Sequence, residues 1–163
     1  MAIVLLRVDE RLIHGQVVVG WGNRLHPDRI AVVDDDLAIS TWEQELYTLG
    51  LSGGLEAAFV TVEAARERLA GWRESPERIM VLTRDLSTMH RLVEGGMLEG
   101  EEVNLGGIHH APGRTAVLPY LYLNDQEREE AVRLQQEGVR VSARDLPGTR
   151  RVELNELLDR DEA

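Results

Sequence analysis

Short runs of almost unbroken apolar residues recur along this chain, each followed by a stretch with helical spacing, and that alternation limits it to few folds. Ala2–Val8, Arg29–Val33, Glu56–Val62, Arg78–Leu82, Glu102–Leu105 and Val139–Ala143 read as strands. A strand without a polar face is one buried on both sides, the pattern of a parallel sheet. Helices are predicted over Gly15–Leu25, Leu37–Leu49, Glu63–Trp72, Ser87–Glu94 and Asn124–Glu137. Asn124 is the cap of the last of these and Gly138 its stop. Val117–Leu123 reads as a strand that Pro119 pushes towards a sheet edge. Val152–Leu158 reads as a terminal helix or a loose tail. Strands separated by helices imply right-handed crossovers. The expected fold is therefore α/β: a single three-layer domain over residues 1–158, with a mainly parallel central sheet, helices on both faces and antiparallel edge strands. Residues 159–163 are expected to be a short, charged, frayed tail.

A chain of 163 residues is one domain's worth and buries a sizeable core without staples. Its 29 acidic residues outnumber 18 basic ones, for a net charge of −11. So negative a surface repels phosphate backbones, so no nucleic-acid partner is expected. Every basic residue is arginine, which removes lysine Schiff bases and P-loop chemistry. The absence of cysteine removes disulfides, thiolate metal sites and cysteine nucleophiles. No run approaches the 18–20 apolar residues of a membrane helix. Arg7 follows the first apolar run, the wrong order for a secretory signal, and a cytoplasmic protein is expected.

In such sheets ligands bind at the carboxyl ends of the strands, which selects the loops Asp9–Gly15, Asp34–Asp36 and Gly106–Arg114. The first is the richest: Arg7-Val8-Asp9-Glu10-Arg11-Leu12-Ile13-His14-Gly15-Gln16-Val17. His14 stands just before a helix start, where the backbone N–H groups of Gly15 and Gln16 and the helix dipole favour an anion. Arg7 and Arg11 carry planar guanidinium groups suited to phosphate oxygens. A neutral imidazole offers one nitrogen as a nucleophile, and Asp9 is a candidate to hold the other. Phosphoryl transfer needs mainly positioning and charge stabilisation, which this set supplies. The same residues also describe a polar surface loop, and spacing alone does not separate the two.

The segment closely resembles the active-site motif R-[IV]-D-[DE]-R-L-[IV]-H-G-Q-V of the mannose/fructose/sorbose-family IIB proteins of the bacterial sugar phosphotransferase system. Val103-Asn104-Leu105-Gly106-Gly107-Ile108-His109 resembles that family's N-[VIL]-G-G-[MI] segment, and Gly113-Arg114 its following G-[KR]. Asp125, Leu134 and Gly138–Val141 fit the late helix–glycine–strand pattern, and Arg144-Asp145-Leu146-Pro147 the closing R-x-[VL]-P. The resemblance implies that His14 takes a phosphoryl group, on Nδ1, from a phosphohistidine of a IIA protein or domain. It implies that His14 then passes the group to a sugar held by IIC and IID membrane components. It also implies no cofactor and a cytoplasmic protein peripheral to the inner membrane through its partners. Homodimer formation and the identity of the sugar stay open. Several other IIB families use phosphocysteine, which this chain cannot.

Other residues carry two readings each. Gly106 and Gly107 form either an amide-lined anion nest or a tight turn with positive φ. Arg114 and Arg144, with Arg7 and Arg11, are expected to form a basic docking patch around His14. Asp34-Asp35-Asp36 is read as an acidic helix N-terminus in preference to a Mg²⁺ site, and His109-His110 lacks the further ligands a metal needs. No metal is expected. Trp21, Trp42 and Trp72 are read as core or interface residues. A regulatory phosphorelay protein without a sugar permease is the alternative function. A nucleotide- or flavin-binding module is disfavoured because no glycine-rich phosphate motif follows any strand.

Overall fold

The computed structural model describes residues 2–159. Six strands run parallel: β1 (Ile3–Val8), β2 (Arg29–Val33), β3 (Glu56–Val60), β4 (Ile79–Thr83), β5 (Glu102–Leu105) and β8 (Arg140–Ala143). With the short β9 (Val152–Glu153), antiparallel to β8, they form a seven-stranded sheet in the order β3-β2-β4-β1-β5-β8-β9. The expected antiparallel edge is this last strand.

The expected strand Val117–Leu123 is instead a hairpin outside the main sheet. Thr115–Leu118 (β6) and Leu121–Leu123 (β7) pair antiparallel around a turn at Pro119-Tyr120. Proline cannot donate to a ladder, and here it turns the chain instead of lying at an edge. The expected terminal helix or tail is β9 followed by α6 (Leu154–Asp159), anchored by buried Leu154 and Leu157. The helix takes in Asp159, and the rest of the expected tail lies outside the described residues.

The remaining helices are α1 (Gly22–Leu25), α2 (Thr41–Thr48), α3 (Val62–Glu74), α4 (Leu86–Val93) and α5 (Asp125–Gln136). Thr61 and Asp85 accept hydrogen bonds from the N–H groups of Ala64 and Thr88 at the starts of α3 and α4. Asn124 and Glu127 close a capping box on α5. Two departures matter. The predicted helix Leu37–Leu49 divides into a 3-10 turn, Leu37–Ile39, and α2, which buries none of its residues. Trp42 there is 65% exposed, whereas Trp21 is buried in the core. The predicted helix from Gly15 begins as a π-helix over Gln16–Trp21 before tightening into α1.

The chain leaves β1 towards β2 and β3, then returns through β4 to β5 and β8 on the other side. Right-handed crossovers therefore place the segments after β1 and β2 on one face, and α3, α4 and α5 on the other. Two cores follow. One joins Leu12, Ile13, Val17 and Trp21 to Ile30, Val32, Met80 and Leu82. The other joins Leu6, Val81 and Val103 to Leu69, Leu92 and Leu134. At the carboxyl ends of adjacent β1 and β4 the chain departs to opposite faces, which opens a crevice there.

Candidate functional site

The loop after β1 grows out of that crevice and is tied to both neighbouring strands. The Asp9 N–H donates to Thr83 O (2.9 Å), that of Gly106 to Val8 O (2.8 Å), and that of Glu10 to Gly107 O (2.8 Å). Leu12 then adopts a left-handed conformation, φ 54°, which costs a β-carbon-bearing residue about 1–2 kcal/mol. Its side chain is fully buried, and burial of a leucine contributes about 1.5–3 kcal/mol, enough to hold the bend. The bend aims His14 back at Asp9.

Asp9 Oδ2 lies 2.9 Å from His14 Nε2. The same oxygen accepts from Arg7 Nε (3.2 Å) and Nη2 (3.0 Å), and Oδ1 accepts from the Arg11 N–H (3.0 Å). Burial alone raises the pKa of this carboxyl group. The His14 hydrogen bond and the Arg7 charge outweigh that and hold it below its ordinary value. An ionised carboxylate only accepts, so His14 Nε2 carries the proton and Nδ1 keeps its lone pair. In its neutral form the imidazole, 14% exposed, has its tautomer fixed and can offer Nδ1 as a nucleophilic nitrogen.

Arg7 does not offer its charge to a phosphate as expected. It is completely buried, and its remaining N–H groups go to Asn104 Oδ1 (2.5 Å) and to the carbonyl oxygens of Arg144 (3.0 Å) and Asp145 (3.1 Å). With all five donors engaged, it orders Asp9 and is linked to His14 only through it. Trp21 covers its guanidinium at 5.5 Å and donates from Nε1 to Asp145 O (2.9 Å). Burial lowers the Arg7 pKa, against the raising effect of Asp9.

Gly106 and Gly107 do not form the positive-φ turn, and Gly106 does not serve an anion nest. Neither has positive φ, and the Gly106 N–H is spent on Val8 O, so no anion nest forms from it. A β-carbon at Gly106 would overlap the Arg7 guanidinium. The glycine makes room for the arginine.

Arg11 is exposed, with one long contact from Nη2 to Gln16 Oε1 (3.4 Å). Hydrogen bonding in the following helix begins with the Val17 and Val18 N–H groups, both on His14 O (3.0 and 2.9 Å). The amides of Gly15 and Gln16 precede it, beside His14.

The docking patch is corrected at two further arginines. Arg114 does lie beside the loop, but Nη1 is held by Glu10 (2.8 Å), and Nε and Nη2 by Glu127 (3.0 and 2.7 Å). Its charge is neutralised in place, and only 15% of its side chain is exposed. Arg144 is half-buried, donates to Pro147 O (3.0 Å) and lies over the Trp21 ring. Arg114 is thus no free cation for a partner, and Arg144 is turned onto Trp21 and the Pro147 carbonyl. Asp34 and Asp35 are engaged by the Leu37 and Val62 N–H groups and by Arg84 and Arg91. His110 is exposed, edge-on to Tyr122.

Sequence reasoning missed Asn104, Trp21, Leu12 and the Asp145 carbonyl. A buried asparagine inside the apolar run Glu102–Leu105 was a readable signal. A leucine with positive φ and a backbone oxygen acceptor leave none.

Residues 3–163 match the family model described as the PTS system sorbose subfamily IIB component. The chain is 31% identical over 155 residues to the N-acetylgalactosamine-specific phosphotransferase enzyme IIB component 1 of Escherichia coli K12, covering 93% of this chain and 96% of that one. It is 30% identical over 160 residues to the mannose-specific EIIAB component of the same organism, covering 98% of this chain and 49% of that longer one. In structure it resembles manxB from Thermoanaerobacter tengcongensis, with a TM-score of 0.85, 27% identity and coverage of 99% and 97%. The IIBSor domain of the Klebsiella pneumoniae sorbose permease, at 23% identity and full coverage of both chains, shares the fold with a TM-score of 0.86.

Proposed function

The chain belongs to the sorbose subfamily of IIB components of the sugar phosphotransferase system, and from that premise we propose that His14 Nδ1 is the atom that carries the phosphoryl group. The family's work is phosphotransfer in sugar transport. The observation that carries the assignment to one atom is the Asp9 Oδ2–His14 Nε2 contact of 2.9 Å, which leaves Nδ1 as the basic nitrogen.

The donor in this reading is a phosphohistidine on a IIA protein or domain. Its N–P bond breaks as a new one forms to Nδ1, and each imidazole keeps the proton on its other nitrogen. Positive charge thereby moves from the donor ring to the His14 ring, where Asp9 faces it. Arg11 folds over the transferring oxygens, and the Gly15 and Gln16 amides point at them from the helix start. In transfer to a sugar held by IIC and IID membrane components, a sugar hydroxyl oxygen bonds to phosphorus as the N–P bond breaks, Nδ1 leaves with its lone pair, and the hydroxyl proton passes to a base of that complex. Among the described residues no helix is long and apolar enough to cross a membrane, so the sugar site in this reading belongs to the membrane partners.

The test is incubation with the general phosphotransferase components and the IIA partner, read by intact mass. One acid-labile phosphoryl group is expected on the wild type and none on His14→Ala. Phosphorus–nitrogen couplings place it on Nδ1. Label persisting on His14→Ala, or found on Nε2, overturns the assignment.

A further inference from the structure

The loop carries two adjacent carboxylates, and each holds a histidine. Asp9 takes Nε2 of His14. Glu10 Oε1 accepts from both the backbone N–H (2.8 Å) and ring Nδ1 (3.1 Å) of His109. The His109 carbonyl in turn accepts from Arg114 Nη1 (2.8 Å), the group that also binds Glu10 Oε2 (2.8 Å). His109 is thus fixed at its amide, its carbonyl and one ring nitrogen, while its side chain stays 47% exposed. A polar surface histidine has no need of three anchors.

The opposite nitrogens are engaged on the two rings. Burial raises the Glu10 pKa, but the His109 N–H and Arg114 outweigh it and hold the group ionised. Glu10 therefore accepts from Nδ1–H of His109 and leaves Nε2 turned away. That Nε2 lies above Gly107: a β-carbon there would stand 3.3 Å from it and 3.5 Å from Asp9 Oδ1. Both His109 Nε2 and Asp9 Oδ1 thus border the space over Gly107, and the glycine keeps that space clear.

We propose that His109 is a second phosphoryl-contacting residue, its Nε2 donating a hydrogen bond to an oxygen of the group carried on His14. This rests on the phosphocarrier reading of His14. The charged groups on His109 are Glu10 from the first loop and Arg114, itself held by Glu127 of α5. Nε2 donates in the doubly protonated ring, with Nδ1–H kept on Glu10. Charge builds up on the phosphoryl oxygens during transfer, where one oriented donor contributes about 10²–10³ in rate.

The test is single-turnover transfer from phosphorylated IIA to the full chain. His109→Ala is expected to slow transfer about 10²-fold while the final extent of His14 labelling and the melting temperature hold. His109→Gln, which keeps an N–H donor, is expected to recover part of the rate, and His110→Ala to match the wild type. A wild-type rate in His109→Ala overturns the proposal. So does a raised half-saturating concentration of the donor with the maximal rate constant unchanged, which would make His109 a docking residue. Failure of the wild type to accept label at all is a different result, and it sinks the phosphocarrier reading itself.

Discussion

Four donors converge on the Asp9 carboxylate, and one of them belongs to His14. Removing its charge strands the buried Arg7, and breaking such a pair costs about 3–5 kcal/mol. Asp9→Asn is therefore expected to lower the urea midpoint at neutral pH and to slow transfer to His14 as well. The sign of the pH effect follows from the lowered pKa. A carboxyl group with a depressed folded value stabilises above its unfolded value of about 3.9 and loses that contribution as pH falls through the folded one. The stability gap between wild type and Asp9→Asn should thus be full at pH 7 and narrow below about pH 4. A gap that persists undiminished deep into acid would show that Asp9 is not the titrating group. His14, Asp9 and Arg11 were legible in the sequence as a candidate set because their residue types, in a motif that resembles the family's, suit phosphate chemistry. The true place of Arg7 was not, since a charged residue at the end of an apolar strand reads as exposed. Only the carbonyls of Arg144 and Asp145, 137 and 138 positions away, reveal that it is enclosed.

Six strands and the helices between them follow from apolar periodicity and capping residues, signals that are local in sequence. The hairpin β6–β7 and the π-helical start after His14 depend on tertiary packing. At Gly20 a β-carbon would lie 2.6 Å from Leu146 Cδ2, so the irregular helix presses on the Arg144–Thr149 loop through a glycine and Trp21. At the end of β5, Gly106 performs the same service for Arg7. One substitution made at two glycines is expected to change stability in opposite directions. Gly106→Ala forces a β-carbon onto a guanidinium that five hydrogen bonds hold in place, at a cost of at least about 1–3 kcal/mol. Gly71→Ala, in mid-α3 with nothing within 4 Å of the added carbon, should stabilise by about 0.5–1 kcal/mol. Thermal melts of the two variants check this. If Gly106→Ala melts with the wild type, Arg7 is not packed against that glycine.

Across the whole molecule, a net charge of −11 rests on arginines that are mostly committed to internal partners, which alters where electrostatics can act. Arg114 illustrates it. Burial opposes its charge, but hydrogen bonds from its guanidinium to Glu127 and Glu10 hold its pKa above the ordinary value. It joins the first loop to α5, so its loss should loosen the fold around the site more than it weakens attraction to a partner. Arg11 is exposed and has no close ion pair among the described residues. Salt separates the two roles. From about 0.1 M to about 1 M the screening length falls from about 10 Å to about 3 Å, which removes long-range steering and leaves enclosed pairs at about 3 Å largely intact. Arg114→Met is therefore expected to lower the urea midpoint at both salt concentrations and to slow transfer by a factor that salt barely changes. Arg11→Gln should keep the wild-type midpoint, and its deficit in the association rate with IIA should shrink at high salt. A salt-sensitive transfer defect in Arg114→Met, with stability unchanged, would return that arginine to the docking surface and release Glu10 from the role of its anchor.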